Sequence, residues 1–245
     1  MRKNNKLKFL KLIILAIILF FSNSCNNKNS RDNFFLGGEI INPSSNYVNF
    51  YYNNIKIDFK DRAKNLNKPL YQCPSCLKEH VMDSDKDKIW CTSCNKTYKM
   101  DVYGQLKAIE GKTEFAHIPD WFEFQRANVR KQIEDGTYHF EDDVTIESLP
   151  NTDGYIPLGR GTLKHDINGF VLESSELEEK HILNKEPLSM NGLHIEYDYF
   201  GKGDCVSFST LNDTFYIYPE NQNYSVTKFH LAVEELYKLE VEKKS

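Results

Sequence analysis

The sequence has little excess of charge of either sign. Lys and Arg number 31 against 35 Asp and Glu, which leaves a net charge of −4. No global basic field is available to attract a phosphate backbone, so a nucleic-acid partner is excluded. A long apolar run is also missing. Leu12 to Phe21 is uninterrupted but too short for a comfortable membrane span. Cysteine is sparse: of six, four fall into two pairs and two, Cys25 and Cys205, stand alone. What is plentiful is Tyr and Phe, 14 and 16 of them, which fits a strand-rich fold. A chain of 245 residues with a 40% hydrophobic fraction can bury one moderate core or two small ones.

The two cysteine pairs, Cys73/Cys76 and Cys91/Cys94, organise the segment from Tyr71 to Met100. Two residues between thiolates let one tight turn aim both sulfurs at one ion, and two such turns complete a tetrahedral four-sulfur site. The pattern reads as a zinc ribbon. Lys78 to Met82 and Lys88 to Trp90 suit the strands of a hairpin, with Asp83 to Asp87 as its solvated tip. Pro74 sits in the first knuckle, and Asn95, which tolerates a left-handed backbone, follows the second. Iron is an alternative for four thiolates. Two unrelated dithiols are the other.

Arg2, Lys3, Lys6, Lys8 and Lys11 precede the apolar run and make residues 1–25 read as a signal peptide. Phe21-Ser-Asn-Ser-Cys25 then resembles a bacterial lipoprotein signal, although Ser22 occupies a position where such signals carry an aliphatic residue. The resemblance implies lipidation of Cys25 and an exported lipoprotein. An uncleaved N-terminal anchor, with the remainder facing the cytoplasm, is the alternative, and both tie the chain to a membrane. Residues 26–68 read as a polar tether and a small β unit: Phe34 to Ile41, Tyr47 to Tyr52 and, after an Asn53-Asn54 turn, Ile55 to Phe59. Gly37-Gly-Glu-Ile-Ile-Asn-Pro43 resembles the start of the β domain in thioredoxin-family lipoproteins of the Bacteroidetes, over about residues 20 to 60 and without a catalytic residue. Asp61 to Lys68 reads as a charged linker.

That resemblance raises a redox reading, since Trp90-Cys91-Thr-Ser-Cys94 is similar to a thioredoxin-type active site. The residues argue against it. Asp83, Asp85, Lys86, Asp87 and Lys88 crowd the approach where a buried strand is needed, and Lys96 to Met100 alternates instead of opening a helix. An exported thiol-disulfide protein remains the second functional reading.

Beyond the ribbon (69–104), a connecting segment (105–136) holds a helix from His117 to Ile133. Asp120 is its expected cap, with Glu123 completing a capping box, and Gly136 its stop. Phe122, Val129 and Ile133 turn inward, while Arg126, Arg130 and Lys131 keep the remainder solvated. Residues 137–245 supply seven short strands, 137–140, 144–149, 161–165, 169–172, 194–199, 205–210 and 214–218. An amphipathic helix, 226–241, follows, with Ser225 as cap and Phe229, Ala232, Val233, Leu236 and Leu239 as its apolar face. The fold class is mainly β (α+β). Its strand meander and closing helix resemble pleckstrin-homology (PH) and GRAM-like domains.

A further resemblance covers about residues 71–237. Cys73-Pro-Ser-Cys, Tyr103-Gly-Gln-Leu, His117-Ile-Pro-Asp-Trp, Leu163-Lys-His-Asp-Ile-Asn-Gly-Phe170 and Ser225-Val-Thr-Lys look like the tail that follows the catalytic domain in some clostridial 1-acyl-sn-glycerol-3-phosphate acyltransferases. That tail is not the catalytic part. The family's His and Asp, separated by four residues, are matched in spacing by His80 and Asp85, but these lie in the hairpin without a following phosphate-binding segment, and the match reads as chance.

The remaining candidates read as structural. His165-Asp166, beside Asn168-Gly169, reads as an exposed polar pair at a turn, and Cys205 as a small buried residue. The acidic groups Glu141-Asp142-Asp143 and Glu176 to Glu179 are solvated faces without metal. Lys164, Lys180 and Lys202 are weak candidates for phosphate headgroups. The expectation is a membrane-tethered, non-catalytic zinc-ribbon binding module, with a lipid or protein ligand of the β domain. Because the two resemblances belong to different bacterial groups and opposite compartments, a composite chain joined near residues 60 to 70 is a third reading.

Overall fold

The computed structural model describes residues 56–150, 154–176, 181–211, 213–221 and 224–244. The expected signal peptide, Cys25, the tether, the β unit up to residue 55 and Lys180 lie outside the described residues. Among the described residues the fold is mainly β with two α-helices and two sheets.

The first sheet is the ribbon. β1 (Met82–Asp85), β2 (Lys88–Cys91), β3 (Thr97–Met100) and β4 (Leu106–Ala108) lie side by side in chain order, all antiparallel. The first hairpin strand begins at Met82, later than expected, because residues 72–79 are used by the first knuckle and a single bridge between Gln72 and Glu79. β4 was not foreseen.

The segment expected as a linker is packed. Ala63, Leu66 and Leu70 are buried in the same core as Ile89, Tyr98 and Met100. The Ala63 N–H donates to Lys86 O, Arg62 Nε to Met100 O, and Ser84 Oγ to Asn67 Oδ1. The segment packs against one side of the hairpin, where Ser84 is buried and Arg62 pairs with Asp87 at 3.3 Å, while Asp83, Asp85 and Lys86 stay exposed, as expected of a solvated tip. Residues 56–59 carry no strand; Ile57 is buried and its N–H donates to Val102 O. Charge pattern could not show this, because the buried residues number few and alternate with lysines that keep their ends in water.

α1 (Ile118–Glu134) buries Ile118, Trp121, Phe122, Gln125, Arg126, Val129 and Ile133. Its cap differs from expectation. His117 is the N-cap residue, no side chain caps the helix, and Pro119 in the first turn needs no N–H partner. Glu123 pairs instead with Arg126. Gly136 (φ 68°) ends the helix as expected, its N–H bonded to Ile133 O.

The second sheet has seven antiparallel strands. β5 (Phe140–Ser148), β6 (Ile156–Asp166), β7 (Gly169–Ser174) and β8 (His181–Lys185) form one meander; β9 (His194–Glu196), β10 (Cys205–Ser209) and β11 (Thr214–Pro219) form another. β11 joins β5, giving the order β8-β7-β6-β5-β11-β10-β9. Of the expected strand 137–140 only Phe140 belongs to a strand, β5, because the Thr137 and Tyr138 N–H groups are spent on Gln132 O at the end of α1; β8 was not expected, so the total of seven stands while its membership changes.

α2 (Val226–Lys244) closes the domain, with Ser225 Oγ accepting from the Thr227 N–H. Val226, Phe229 and Val233 enter the core of the seven-stranded sheet, whereas Leu231, Ala232 and Leu236 enter the ribbon core. One helix is thus a wall of both cores. It is apolar on two sides over its first turns, as a helix between two layers must be.

Candidate metal centre

Cys73, Cys76, Cys91 and Cys94 come together with their sulfurs all within 4.8 Å of one another. Cys73 Sγ lies 3.7 Å from Cys94 Sγ, and Cys76 Sγ lies 3.7 Å from Cys91 Sγ. A tetrahedron with metal–sulfur bonds of about 2.3 Å has edges of about 3.8 Å. The spacing fits four ligands around one ion and is far too long for disulfides, whose sulfurs sit about 2.05 Å apart. All four thiols are free. These four cysteines can hold a metal ion, and they are the only such group of His, Cys, Asp and Glu among the described residues.

The two knuckles repeat one backbone device. The N–H groups of Cys73 and Cys91 donate to Lys78 O and Lys96 O, each at 2.9 Å. Those of Leu77 and Asn95 donate to Cys73 O and Cys91 O, also at 2.9 Å. Leu77 (φ 63°) and Asn95 (φ 62°) are both left-handed, which turns each chain back beneath its sulfurs. Asn95 was legible as such a residue; Leu77 was not, because leucine ordinarily avoids this region. Burial pushes the Cys73 and Cys91 thiols up, opposed by the backbone N–H groups of Ser75 and Cys76 in one knuckle and of Ser93 and Cys94 in the other. In the second knuckle the Ser93 and Cys94 N–H groups reach Cys91 Sγ at 3.4 Å. Such donors stabilise thiolates and hold them in register for an ion.

α1 supports the first knuckle from behind. Trp121 Nε1 donates to Gln72 O, the Gln72 N–H donates to Gln125 Oε1, and Asn128 Nδ2 donates to Gln72 Oε1, all at 2.9 Å. Gln125 Nε2 reaches Pro69 O at 2.8 Å. Every polar group of the residue before Cys73 is thereby held by one helix or by its own knuckle, since Gln72 Nε2 donates to Leu77 O. None of these supports was visible in the sequence, where Gln72, Gln125 and Asn128 look like ordinary surface amides.

The other candidates stay outside the centre. His80 stacks on Tyr71 with centroids 5.6 Å apart and lies beside Glu79, while Asp85 stands at the far end of β1. Cys205 is buried in β10, as expected, and its thiol is pushed up to about 12 chiefly by burial. His165 departs from expectation. It is 2% exposed, stacks on Phe170 at 4.0 Å, and lies with Nδ1 2.8 Å from Tyr138 Oη. It points into the core because its register on β6 matches Leu163, and the turn lies beyond it. Arg126, expected in solvent, is buried against Glu234 and Glu235 of α2.

No protein-family model matches the chain, and none of the curated proteins compared with it matches. Among the described residues, no helix is long and apolar enough to cross a membrane.

Proposed function

We propose that the chain is a non-catalytic binding module built on a zinc ribbon and tethered to a membrane through its N-terminus. One observation carries the reading: four sulfurs stand at the separations a tetrahedral ion requires. Four thiolates would leave no open coordination position, so a zinc held there is structural. The ion's chemistry is to draw two knuckles together. Around it, Ser75, Cys76, Ser93 and Cys94 supply N–H donors, and Gln72, Trp121 and Gln125 fix where the first knuckle sits. The tether is Cys25 as a lipidated residue, from its signal-like context. The resemblance to an acyltransferase tail supports a role beside phospholipid chemistry without performing it.

Elemental analysis of the purified full chain tests the core of this reading. One zinc per chain, with thiols that react with a chromogenic disulfide only after chelation, is the expected result. Iron in place of zinc would change the metal and keep the module. A metal-free protein with a reducible bridge between Cys91 and Cys94 would overturn the proposal in favour of thiol-disulfide exchange. Robust acyl transfer to lysophosphatidic acid would overturn the non-catalytic assignment, and absence of fatty-acid label from Cys25 would remove the lipid tether.

A further inference from the structure

Asparagine is followed by glycine twice in the chain, at Asn168-Gly169 and Asn191-Gly192, and the fold treats the two pairs differently. The dipeptide carries its own chemistry. The glycine amide nitrogen can attack the asparagine Cγ, and a glycine, having no Cβ, leaves that approach open. Whether the attack occurs depends on whether the backbone between the two residues can turn into line.

At Asn168 the fold holds it. Gly169 is the first residue of β7, in register with Asp166 of β6, at φ 100°. A Cβ built on it would stand 2.0 Å from Lys185 O, so β8 presses on its backbone from the other side. The Asn168 N–H is itself held by Asp166 Oδ1 at 2.7 Å. Rotating this peptide group for attack would break the last rung of the β6–β7 ladder.

At Asn191 the backbone is free to turn. The residue is exposed in the bend between the short 3-10 turn Pro187–Ser189 and β9. Gly192 lies in no strand or helix, and its N–H has no hydrogen-bond partner among the described residues. A Cβ there would meet no heavy atom within 4 Å. The ends of the bend are nonetheless anchored. Met190 packs on the core of the seven-stranded sheet, Leu193 is buried, and Leu193 O accepts a hydrogen bond from His230 Nδ1 of α2, 2.7 Å away.

We propose that Asn191 is a self-modifying site, at which the chain deamidates through a cyclic imide while Asn168 is spared. Gly192 N loses its proton and bonds to Asn191 Cγ; the Cγ–Nδ2 bond breaks and ammonia leaves with that proton. Water then opens the imide. Breaking the new Cγ–N bond gives aspartate, and breaking the former backbone C–N bond gives isoaspartate, whose main chain runs through Cγ. Both products carry a negative charge where the amide was neutral. Isoaspartate also lengthens the main chain between Met190 and Leu193, two anchored residues, so the strand that follows must give. That strand is β9, the edge of the sheet, paired only with β10 among the described strands. The site is independent of the metal and of the tether.

Ageing the purified full chain in mildly alkaline buffer tests this, with peptide mass mapping and enzymatic methyl labelling of isoaspartate as readouts. Conversion at residue 191 should outrun conversion at residue 168 by about fivefold or more, as expected when one backbone is held by hydrogen bonds and the other is not. In denaturant the two rates should converge. Gly192→Ala, at a position with room for a Cβ and without a left-handed φ, should suppress conversion at residue 191 and leave residue 168 unchanged. The aged chain should also exchange the amide hydrogens of residues 194–196 faster than the fresh one. Equal rates in the folded chain, or a faster rate at residue 168, would overturn the proposal, as would undiminished conversion in Gly192→Ala. Rates that stay apart in denaturant would overturn the role of the fold, and unchanged exchange at residues 194–196 would overturn the loosening of β9.

Discussion

The indole Nε1 of Trp121 donates to the backbone carbonyl of Gln72, 2.9 Å away, so that α1 holds the residue directly before the first cysteine of the metal centre. Both groups are buried. Trp121→Phe keeps most of the ring and removes the donor, leaving the carbonyl without that partner at a cost of about 1 to 3 kcal/mol. Because the carbonyl belongs to the support of the knuckle, zinc affinity should fall by about tenfold or more. Competition against a chromophoric chelator measures the affinity, and thermal melting the stability. A variant that melts lower but binds zinc unchanged would show that α1 supports the fold and not the site.

Leu77 occupies, in the first knuckle, the left-handed position that Asn95 occupies in the second. The leucine side chain is 59% exposed and gives up little packing if replaced. Leu77→Asn should therefore stabilise the zinc-loaded protein, by about 0.5 to 1 kcal/mol, through relief of the backbone strain. The denaturant midpoint of the loaded protein reads this directly. A lower midpoint would mean that Leu77 makes a contact worth more than the strain.

The metal motif was legible because it is local: two cysteine pairs and an asparagine state their geometry within six residues each. The inward faces of α1 and α2 were legible for the same reason, since helical spacing puts Phe122, Val129 and Ile133, or Phe229, Ala232, Val233 and Leu236, on one side. What escaped depends on residues far apart. Arg126 looks like a solvated charge until α2 brings Glu234, 108 positions later in the chain, against it. Residues 61–68 look like a linker until the ribbon tip folds onto Ala63 and Leu66. β8, His-Ile-Leu-Asn-Lys, is an edge strand with no clear alternation, so only its pairing with β7 defines it.

Arg126 is buried between Glu123, Glu234 and Glu235. Removing one member of a buried ionic group leaves the others unpaired, a loss of about 3 to 5 kcal/mol. Arg126→Met should approach that range in a denaturant titration. Arg160, paired with Glu220 on the surface, is the control. Arg160→Met should produce no measurable loss, because solvent already screens that pair. Equal effects of the two substitutions would remove the α1–α2 charge cluster as a determinant of the fold.

His165 gives the protein a pH dependence whose sign follows from its burial. Desolvation lowers its pKa from 6.5 to about 3 in the folded chain, while the unfolded chain keeps the ordinary value. Below pH 6.5 the unfolded state therefore binds a proton that the folded state refuses, and stability falls as pH falls toward 3. The slope contributed by one such group is at most about 1.4 kcal/mol per pH unit. Glu234, held down to about 2 against its burial by His230 and Arg126, adds its own loss only below its ordinary value of 4.5. The window from pH 6.5 to 4.5 thus isolates the imidazole from this carboxylate. His165→Gln keeps a hydrogen-bonding group near Tyr138 and removes the titration. Subtracting its unfolding free energies from those of the wild type across that window cancels thiolate protonation at the metal centre, which both proteins share. The difference should favour the wild type less at each step toward acid; a flat difference would mean that His165 is protonated in the folded chain or sheltered equally in the unfolded one.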